Sequence, residues 1–318
     1  MTSPTKKTHW SALRESGSVG GLRFLLWVYQ IFGRKLYSMF LYPTALYFLI
    51  MKPVARRASL QFLQKHYQQY PHYWSKKPGH WHVFKHIISF AQSILDKGIA
   101  WSNAINEDEF DIASPELVNT ILNDPRGQLI IGSHLGNLEY CRGFMQSSSN
   151  HQKTINVLLY DKHAANFVKI MKQLNPQSRV NVFQVSDIDI PTTLLLKNKI
   201  ANGEWVFIAG DRVPINDNDR TVPVNFYGES APLPIGPYLF AKAMQCPVKL
   251  MFSFRQQQKV HFEIIDFADQ VLIPRNTRQE SIQILAQKFA EHLQQQSSLA
   301  PYQWFNFYNF WQKNDADK

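Results

Sequence analysis

The stretch Leu129-Ile130-Ile131-Gly132-Ser133-His134-Leu135-Gly136-Asn137-Leu138-Glu139 joins an apolar run to a histidine and, five positions later, a carboxylate. Its apolar part predicts a buried β-strand, and the residues after Asn137 predict an α-helix that the Asn137 side chain caps. In open α/β sheets, ligands and catalytic groups gather at the carboxyl ends of the strands. We therefore expect the sheet to be organised around this strand, with His134 and Glu139 at its functional edge.

From about Phe110 onward, strand-like and helix-like segments alternate, which is typical of an α/β fold with a mostly parallel central sheet flanked by helices. The predicted strands are Leu129–Ser133, Ile155–Tyr160, Asn181–Val185, Trp205–Ala209, Val222–Asn225, Val248–Phe254 and His261–Ile265. The predicted helices are Leu138–Gln146, Ala164–Leu174, Ile188–Ala201, Ile235–Met244 and Thr277–Gln296, the last capped by Asn276. No repeat or low-complexity linker interrupts this block, so residues 101–318 are expected to form one domain.

The formal net charge of +10 is concentrated in the first third of the chain. Residues 1–57 carry nine Lys and Arg against one Glu, and residues 58–100 carry five Lys against one Asp. We interpret them as a basic N-terminal membrane-anchoring segment and a helical basic connector. A nucleic-acid-binding protein would carry its charge on the folded domain and show a recognisable motif, so nucleic acid is not expected as a partner.

An uninterrupted apolar run, Leu36–Met51, supports this interpretation. As a helix it would span roughly 24 Å, against a hydrocarbon core of about 30 Å. Extending it back to Phe24 would bury Arg34 and Lys35, at about 2.5–3.5 kcal/mol each. We therefore expect a hydrophobic helix that is embedded in the membrane or lies at its interface, next to anionic lipid. The alternative is a buried hydrophobic helix of a soluble protein.

Cysteine and histidine usage predicts neither a metal site nor a cofactor. Cys141 and Cys246 have no CxxC or Cys/His ligand spacing, which fits a reducing, cytoplasmic setting without a disulfide framework. His82 and His86 are four positions apart, but no carboxylate or cysteine joins them nearby. Solvated or stacked histidines are the favoured interpretation.

The His134 and Glu139 pair points to proton transfer. A carboxylate in the first turn of a helix stays ionised, and when it faces an imidazole it fixes the tautomer and stabilises the imidazolium that forms. No GxSxG nucleophile motif accompanies the pair. A pair of this kind suits a reaction whose substrate brings the nucleophile, such as a hydroxyl that attacks an acyl thioester. The alternative is a satisfied histidine at a strand end and an unrelated helix glutamate.

Two arginines are candidates for other roles. Arg212 follows a predicted strand end and Gly210, where a guanidinium can bind a phosphate bidentately or stabilise a thioester oxyanion. The alternative is an ion pair with Asp211 or Asp217 that closes a loop. Arg142 lies three residues after Glu139, so we expect it to pair with that carboxylate.

The stretch from Gly132 to Glu139 resembles the H-x4-D/E motif of the lysophospholipid and lipid A acyltransferase superfamily, above all that of the bacterial lipid A late acyltransferases, which have Glu in the last position. Further stretches that resemble this family are Ala209-Gly210-Asp211-Arg212, Val222-Pro223-Val224-Asn225-Phe226-Tyr227-Gly228, Pro234-Ile235-Gly236-Pro237 and Pro301-Tyr302-Gln303-Trp304. The resemblance implies a glycerolipid acyltransferase-like fold in which His134 and Glu139 deprotonate the acceptor hydroxyl.

The matching positions for substrate binding are Arg212 and Asp211. Asn225, Tyr227 and Gly236 are expected to line the acyl or acceptor channel, although an aromatic-rich wall is equally consistent with plain core. The sequence departs from the family's pattern around Asp217-Asn218-Asp219-Arg220, which bears on the identity of the acceptor.

The function that the sequence predicts is acyl transfer from an acyl thioester to a hydroxyl of a membrane lipid or glycolipid, on the cytoplasmic face of the inner membrane of a bacterium. The donor is acyl carrier protein or acyl-CoA, and the acidic carrier protein suits the basic N-terminal third better. The alternatives are a non-catalytic membrane-associated lipid-binding protein that retains the fold, and an esterase in which water replaces the acceptor.

Overall fold

A computed structural model describes residues 41–101, 107–147, 153–159, 179–185, 188–213 and 220–311, together with Trp27, Ile31, Gly33 and Met39. The predicted helix Ala164–Leu174 and most of the apolar segment before residue 41 lie outside these residues. Residues 41–51 are helical.

The helices that follow are α1 (Pro53–Gln69), α2 (His80–Trp101), α3 (Pro115–Asn123), α4 (Leu138–Ser147), α5 (Ile190–Ala201), α6 (Gly236–Met244) and α7 (Arg278–Leu299). The strands are β1 (Phe110–Ile112), β2 (Leu129–Gly132), β3 (Ile155–Leu159), β4 (Val180–Gln184), β5 (Trp205–Ala209), β6 (Thr221–Phe226), β7 (Glu229–Pro234), β8 (Val248–Gln256) and β9 (Lys259–Ala268). Short 3₁₀ turns lie at Pro71–Tyr73, Glu107–Glu109 and Pro301–Gln303.

Seven strands form one mixed sheet in the order β1-β9-β8-β2-β5-β3-β4. The five strands from β8 to β4 run parallel, whereas β9 is antiparallel to β8 and carries β1 parallel to itself at the edge. The prediction of a mostly parallel sheet flanked by helices is therefore confirmed. β2 lies near the centre and reads as a continuous apolar run because both of its faces are covered.

Helices cover β2 and β5 from opposite faces. Ile130 of β2 packs with α3 and α4 on one face, while Leu129 and Ile131 pack with α6 and α7 on the other. The chain that leaves β2 enters α4, and the chain that leaves β5 reaches α6, so the connections diverge here. Such a divergence opens a crevice at the carboxyl edge of the sheet.

The structure corrects the predicted elements in several places, and helix α3 was not predicted. Val222–Asn225 is a strand, but it belongs to the separate antiparallel hairpin β6–β7 and not to the main sheet. Strands β1 and β7 were not predicted, because β1 has only three residues and β7 contains two prolines, which disfavour a strand. The N-cap of α7 is Thr277 and not Asn276.

Residues 300–311, which we call the C-terminal segment, are rich in aromatic side chains and are held against α1 and α2. His86 is fully buried and bridges Ser59 of α1 (Nδ1 to Oγ, 2.9 Å) and the carbonyl of Trp304 (Nε2 to O, 3.0 Å). Because a carbonyl only accepts, Nε2 carries the proton and Nδ1 accepts from the Ser59 hydroxyl. His86 also stacks on Phe305, so it is a stacked histidine, whereas the solvated alternative is wrong for it.

Residues 41–51 present an apolar outer face. Leu41 and Ala45 are buried, whereas the large apolar side chains that are exposed in this helical stretch are Tyr42, Leu46, Tyr47, Ile50 and Met51. Within the described part of the chain, no helix has both the length and the apolarity needed to cross a membrane.

The protonation of His86 should make stability depend on pH. Burial lowers its pKa from 6.5 to about 3, so between these values the unfolded chain binds a proton that the folded protein excludes. The contribution of His86 to the free energy of unfolding is therefore largest above pH 6.5. Below pH 6.5 this contribution falls by about 1.4 kcal/mol per pH unit.

When the pH is lowered from 6.5 to 5, the free energy of unfolding should fall in the wild type and in His86→Asn. We expect the fall to be smaller in His86→Asn, by roughly 2 kcal/mol. Chemical denaturation at the two pH values measures this difference. His80→Asn, which replaces an exposed histidine at the start of the same helix, is the matched control. Equal losses in His86→Asn and the wild type would contradict the assignment.

Candidate active site

The register of β2 and β5 brings His134 to Asp211. Gly132 pairs with Ala209, and the alignment extends one residue further because the Gly210 N–H donates to the Gly132 carbonyl at 2.9 Å. His134 and Asp211 each lie two residues beyond that last pair. Two residues that are far apart in sequence thus meet because parallel strands end at the same edge.

Asp211 holds His134 by two hydrogen bonds. Oδ1 lies 2.8 Å from Nδ1 of the imidazole, and Oδ2 accepts the His134 backbone N–H at 2.8 Å. The indole N–H of Trp304 donates to Oδ2 as well, at 3.1 Å. An ionised carboxylate only accepts, so Nδ1 carries the ring proton and Nε2 keeps its lone pair. Among the described residues none hydrogen-bonds Nε2, and a third of the His134 side chain is exposed.

Burial and charge set the protonation of this pair. Burial and the nearby charge of Arg212 lower the pKa of His134, against the raising effect of Asp211, and Lys97 of α2 lowers it further. Burial alone would raise the pKa of Asp211, but its hydrogen bonds and its attraction to His134 bring it below the ordinary value. The site therefore combines an ionised carboxylate with an imidazole that is neutral at pH 7, which is the state required of a general base.

The backbone after His134 is fixed on two sides. Gly136 has φ of +65°, and a Cβ there would lie 2.0 Å from the Ser253 carbonyl of β8, so only glycine fits. The Asn137 N–H donates to that same carbonyl at 2.9 Å. On the other side, the Gly136 N–H donates to the Gln303 carbonyl, and the Phe305 N–H donates to the His134 carbonyl. The imidazole therefore extends from a backbone that β8 and the C-terminal segment both hold.

Glu139 lies in the first turn of α4. Its backbone N–H donates to Oδ1 of Asn137, which confirms that Asn137 caps the helix. Its carboxylate accepts from Nε of Arg142 at 3.0 Å, which confirms the predicted pair. Within the described residues no hydrogen bond joins Glu139 to His134, so the carboxylate that fixes the tautomer is that of Asp211.

Of the predicted substrate-binding residues, Asp211 belongs to the pair with His134, whereas Asn225, Tyr227 and Gly236 have other surroundings. Asp211 is 2% exposed and occupied by the bonds above, so it faces His134 and not an open substrate surface. Tyr227 is 1% exposed, with its hydroxyl 2.8 Å from Oγ of Ser297, which matches the alternative of plain core. Asn225 is exposed and bonds Gln287 of α7, and Gly236 is exposed at the start of α6.

No side chain beside His134 in sequence is placed to act as a nucleophile. Ser133 is buried, and its hydroxyl accepts the Leu135 N–H at 3.2 Å. Cys141 is also buried, which raises the pKa of its thiol to about 12. The local geometry agrees with a base that acts on a hydroxyl brought by the substrate.

Two contributors to the site were not found from the sequence. Lys97 gave no signal beyond its charge, since its approach to His134 depends on how α2 packs. Trp304 was noted only within the closing stretch of the chain. A buried tryptophan usually donates its N–H to an acceptor. This requirement was the one clue in the sequence that Trp304 would bond a polar group such as Asp211.

Removing the charge of Arg212 should raise the pKa of His134, because a nearby cation disfavours the imidazolium. We expect Arg212→Gln to raise the titration midpoint of the His134 ring protons, followed by NMR with labelled histidine. Arg126→Gln serves as the control, since Arg126 pairs with Asp124 and Asp269 away from His134. A midpoint in Arg212→Gln equal to or below that of the wild type would contradict this electrostatic account.

Comparison with known proteins identifies the family of this chain. A search among curated proteins found no match. The model of a protein family described as bacterial lipid A biosynthesis acyltransferase matches residues 85–313, which include His134, Glu139, Asp211, Arg212 and Trp304. The match covers most of the chain, from the second turn of α2 to beyond Trp304, whose indole N–H bonds Asp211. The chain therefore belongs to the bacterial lipid A biosynthesis acyltransferase family and is an acyltransferase.

Proposed function

We propose that the enzyme transfers a fatty acyl chain from an acyl thioester to a hydroxyl group of a membrane lipid or glycolipid, with His134 as general base. The observation that carries this proposal is the imidazole whose Nδ1 is held by a buried carboxylate while Nε2 has no hydrogen-bond partner among the described residues. Family membership supplies the class of reaction, and the geometry supports the proposed role of His134.

In the proposed reaction, Nε2 of His134 takes the proton of the acceptor hydroxyl while the hydroxyl oxygen bonds to the thioester carbonyl carbon. The tetrahedral intermediate carries a negative charge on the former carbonyl oxygen, and we assign its stabilisation to Arg212, three residues after the end of β5. The carbon–sulfur bond then breaks, and the imidazolium returns the proton to the departing thiolate. The products are an ester and a free thiol. Asp211 keeps its charge throughout and orients the ring.

Glu139 remains in the proposal as the second carboxylate of the motif. In this proposal Glu139 acts through Arg142. Arg142 is a buried residue of α4, and its guanidinium bonds the Glu139 carboxylate. This differs from a direct contact with the imidazole, so the two carboxylates should differ in how their loss changes the pH dependence of the reaction.

Acyl carrier protein is the proposed donor in preference to CoA. The carrier is acidic, whereas residues 1–100 are strongly basic. The same cations suit anionic lipid. We therefore place the enzyme on the cytoplasmic face of the bacterial inner membrane, where donor and acceptor meet.

Replacement of each site residue tests the mechanism. We expect His134→Ala and Asp211→Asn to lower the rate of transfer of a labelled acyl chain by about 10²–10⁴-fold, and Glu139→Gln to lower it as well. Loss of the Asp211 charge lowers the pKa of His134, so the acidic limb of the pH profile should move to lower pH in Asp211→Asn and stay in place in Glu139→Gln.

The assay offers acyl chains of several lengths on carrier protein and on CoA, with vesicles of bacterial lipid as acceptor. Glu116→Gln, an exposed carboxylate of α3, is the control. Turnover of His134→Ala at the wild-type rate would remove the general-base mechanism. Stable lipid binding without any acceptor-dependent loss of thioester would favour a non-catalytic protein, and loss of thioester without acceptor would favour an esterase.

The exposed apolar face of residues 41–51 supports the membrane location. Leu46 and Ile50 lie one turn apart on this face, and Lys52, Arg56 and Arg57 follow it directly. An apolar face beside cations is typical of a helix that lies at the surface of an anionic bilayer.

Introducing charges on this face should weaken membrane binding. We expect the double change Leu46→Glu and Ile50→Glu to reduce co-sedimentation with vesicles of phosphatidylethanolamine and phosphatidylglycerol by at least about tenfold. Leu272→Glu with Ile284→Glu, two exposed apolar side chains elsewhere, is the matched control. Binding that is unchanged in the first variant would contradict the proposed orientation.

A further inference from the structure

Trp304 contacts Asp211 directly and lies beside the backbone that carries His134. Its indole N–H donates to Oδ2 of Asp211 at 3.1 Å. Its backbone forms a β-bridge with Leu135, next to the hydrogen bond from Phe305 to the His134 carbonyl. Trp304 is therefore joined to the orienting carboxylate by its side chain, while its neighbours Gln303 and Phe305 bond the backbone on either side of Leu135.

The indole ring has little freedom to turn away from Asp211. Trp304 is fully buried, and its ring packs at centroid distances of 4.7 Å from Phe62, 5.0 Å from Phe310 and 5.2 Å from Phe226. Its carbonyl is held by His86 of α2. The N–H is thus a fixed dipole aimed at a buried anion, in surroundings where such a bond is stronger than in water.

We propose that Trp304 is a positioning residue of the active site, whose N–H holds Oδ2 of Asp211 and thereby sets both the orientation and the basicity of His134. This inference rests on the proposed function only in naming His134 as the base. Oδ2 accepts from Trp304 and from the His134 backbone, while Oδ1 faces Nδ1. Each donor on the carboxylate withdraws charge from it, so the carboxylate stabilises the imidazolium less.

Other charged or titratable groups face the pair from the elements around it. Arg212 follows β5 and Lys97 lies on α2, and both disfavour the imidazolium. Tyr308 of the C-terminal segment donates to the Asp211 carbonyl at 3.3 Å, and Glu139 of α4 is held by Arg142. A change confined to the Trp304 side chain leaves the charges of these groups in place. Its effect on His134 therefore passes through the carboxylate.

The experiment measures the pKa of His134 without using activity. The full-length protein is labelled with diethyl pyrocarbonate, which reacts with neutral imidazole, and the rate at His134 is followed against pH by mass spectrometry of its peptide. Two variants remove the N–H: Trp304→Phe, and replacement of Trp304 by benzothienylalanine, whose ring has the shape of indole with sulfur in place of the N–H. The second preserves the packing if the first fails to fold.

The control is Trp311→Phe. Trp311 lies in the same aromatic cluster, and its N–H donates to the Phe226 carbonyl at 3.2 Å and not to Asp211. We expect the midpoint for His134 to rise by about 0.5–1 pH unit in both Trp304 variants and to stay at the wild-type value in Trp311→Phe.

An unchanged or lowered midpoint in the benzothienylalanine variant would overturn the inference, as would an equal rise in Trp311→Phe. If the wild type transfers acyl groups, the acidic limb of kcat/KM should move up in parallel, whereas a merely structural role would lower the rate equally at every pH. If the wild type shows no transfer, the proposed function fails, yet the labelling result still decides the link from Trp304 to His134.

Discussion

The active site depends on one buried carboxylate. Asp211 is removed from water, and it remains ionised there because three N–H groups point at it from His134 and Trp304. An unpaired buried anion would be very costly, so each donor is as necessary to the fold as to the chemistry. The same bonds fix the tautomer of His134 and leave Nε2 as the basic nitrogen. Stability and reactivity therefore have a common origin in this group.

The sheet explains how these residues come together. β2 and β5 are parallel neighbours in register, so equal steps beyond their ends bring His134 and Asp211 side by side. The helices after the two strands cover opposite faces of the sheet, and in α/β folds with this arrangement ligands bind at the edge between the strands. The C-terminal segment then closes one side of this edge by pairing with the backbone after His134. The pieces of the site come from three distant parts of the chain, and each is held by main-chain hydrogen bonds.

The N-terminal helices connect this site to the surface of the protein. His86 joins α2 to the carbonyl of Trp304, and Ser59 joins α1 to His86. The helical residues 41–51 precede α1 and present their apolar side chains outward. A chain that approaches the membrane by its N-terminal part would thus carry the proposed base close to the lipid that it acts on. The basic charge of the first hundred residues suits the same approach.

The sequence by itself determined the local structure: a continuous apolar run that forms a buried strand, a capping Asn137, a Glu139 paired with Arg142, and strands and helices in alternation. Each of these features depends on residues within a few positions of one another. The same is true of the motif from Gly132 to Glu139 that suggested the family. Only the tertiary structure decided which carboxylate holds His134. That choice depends on strand register and on the packing of the C-terminal segment, which join residues 77 and 93 positions apart. Spacing along the chain favoured Glu139, but the strand register placed Asp211 within hydrogen-bonding distance of the ring.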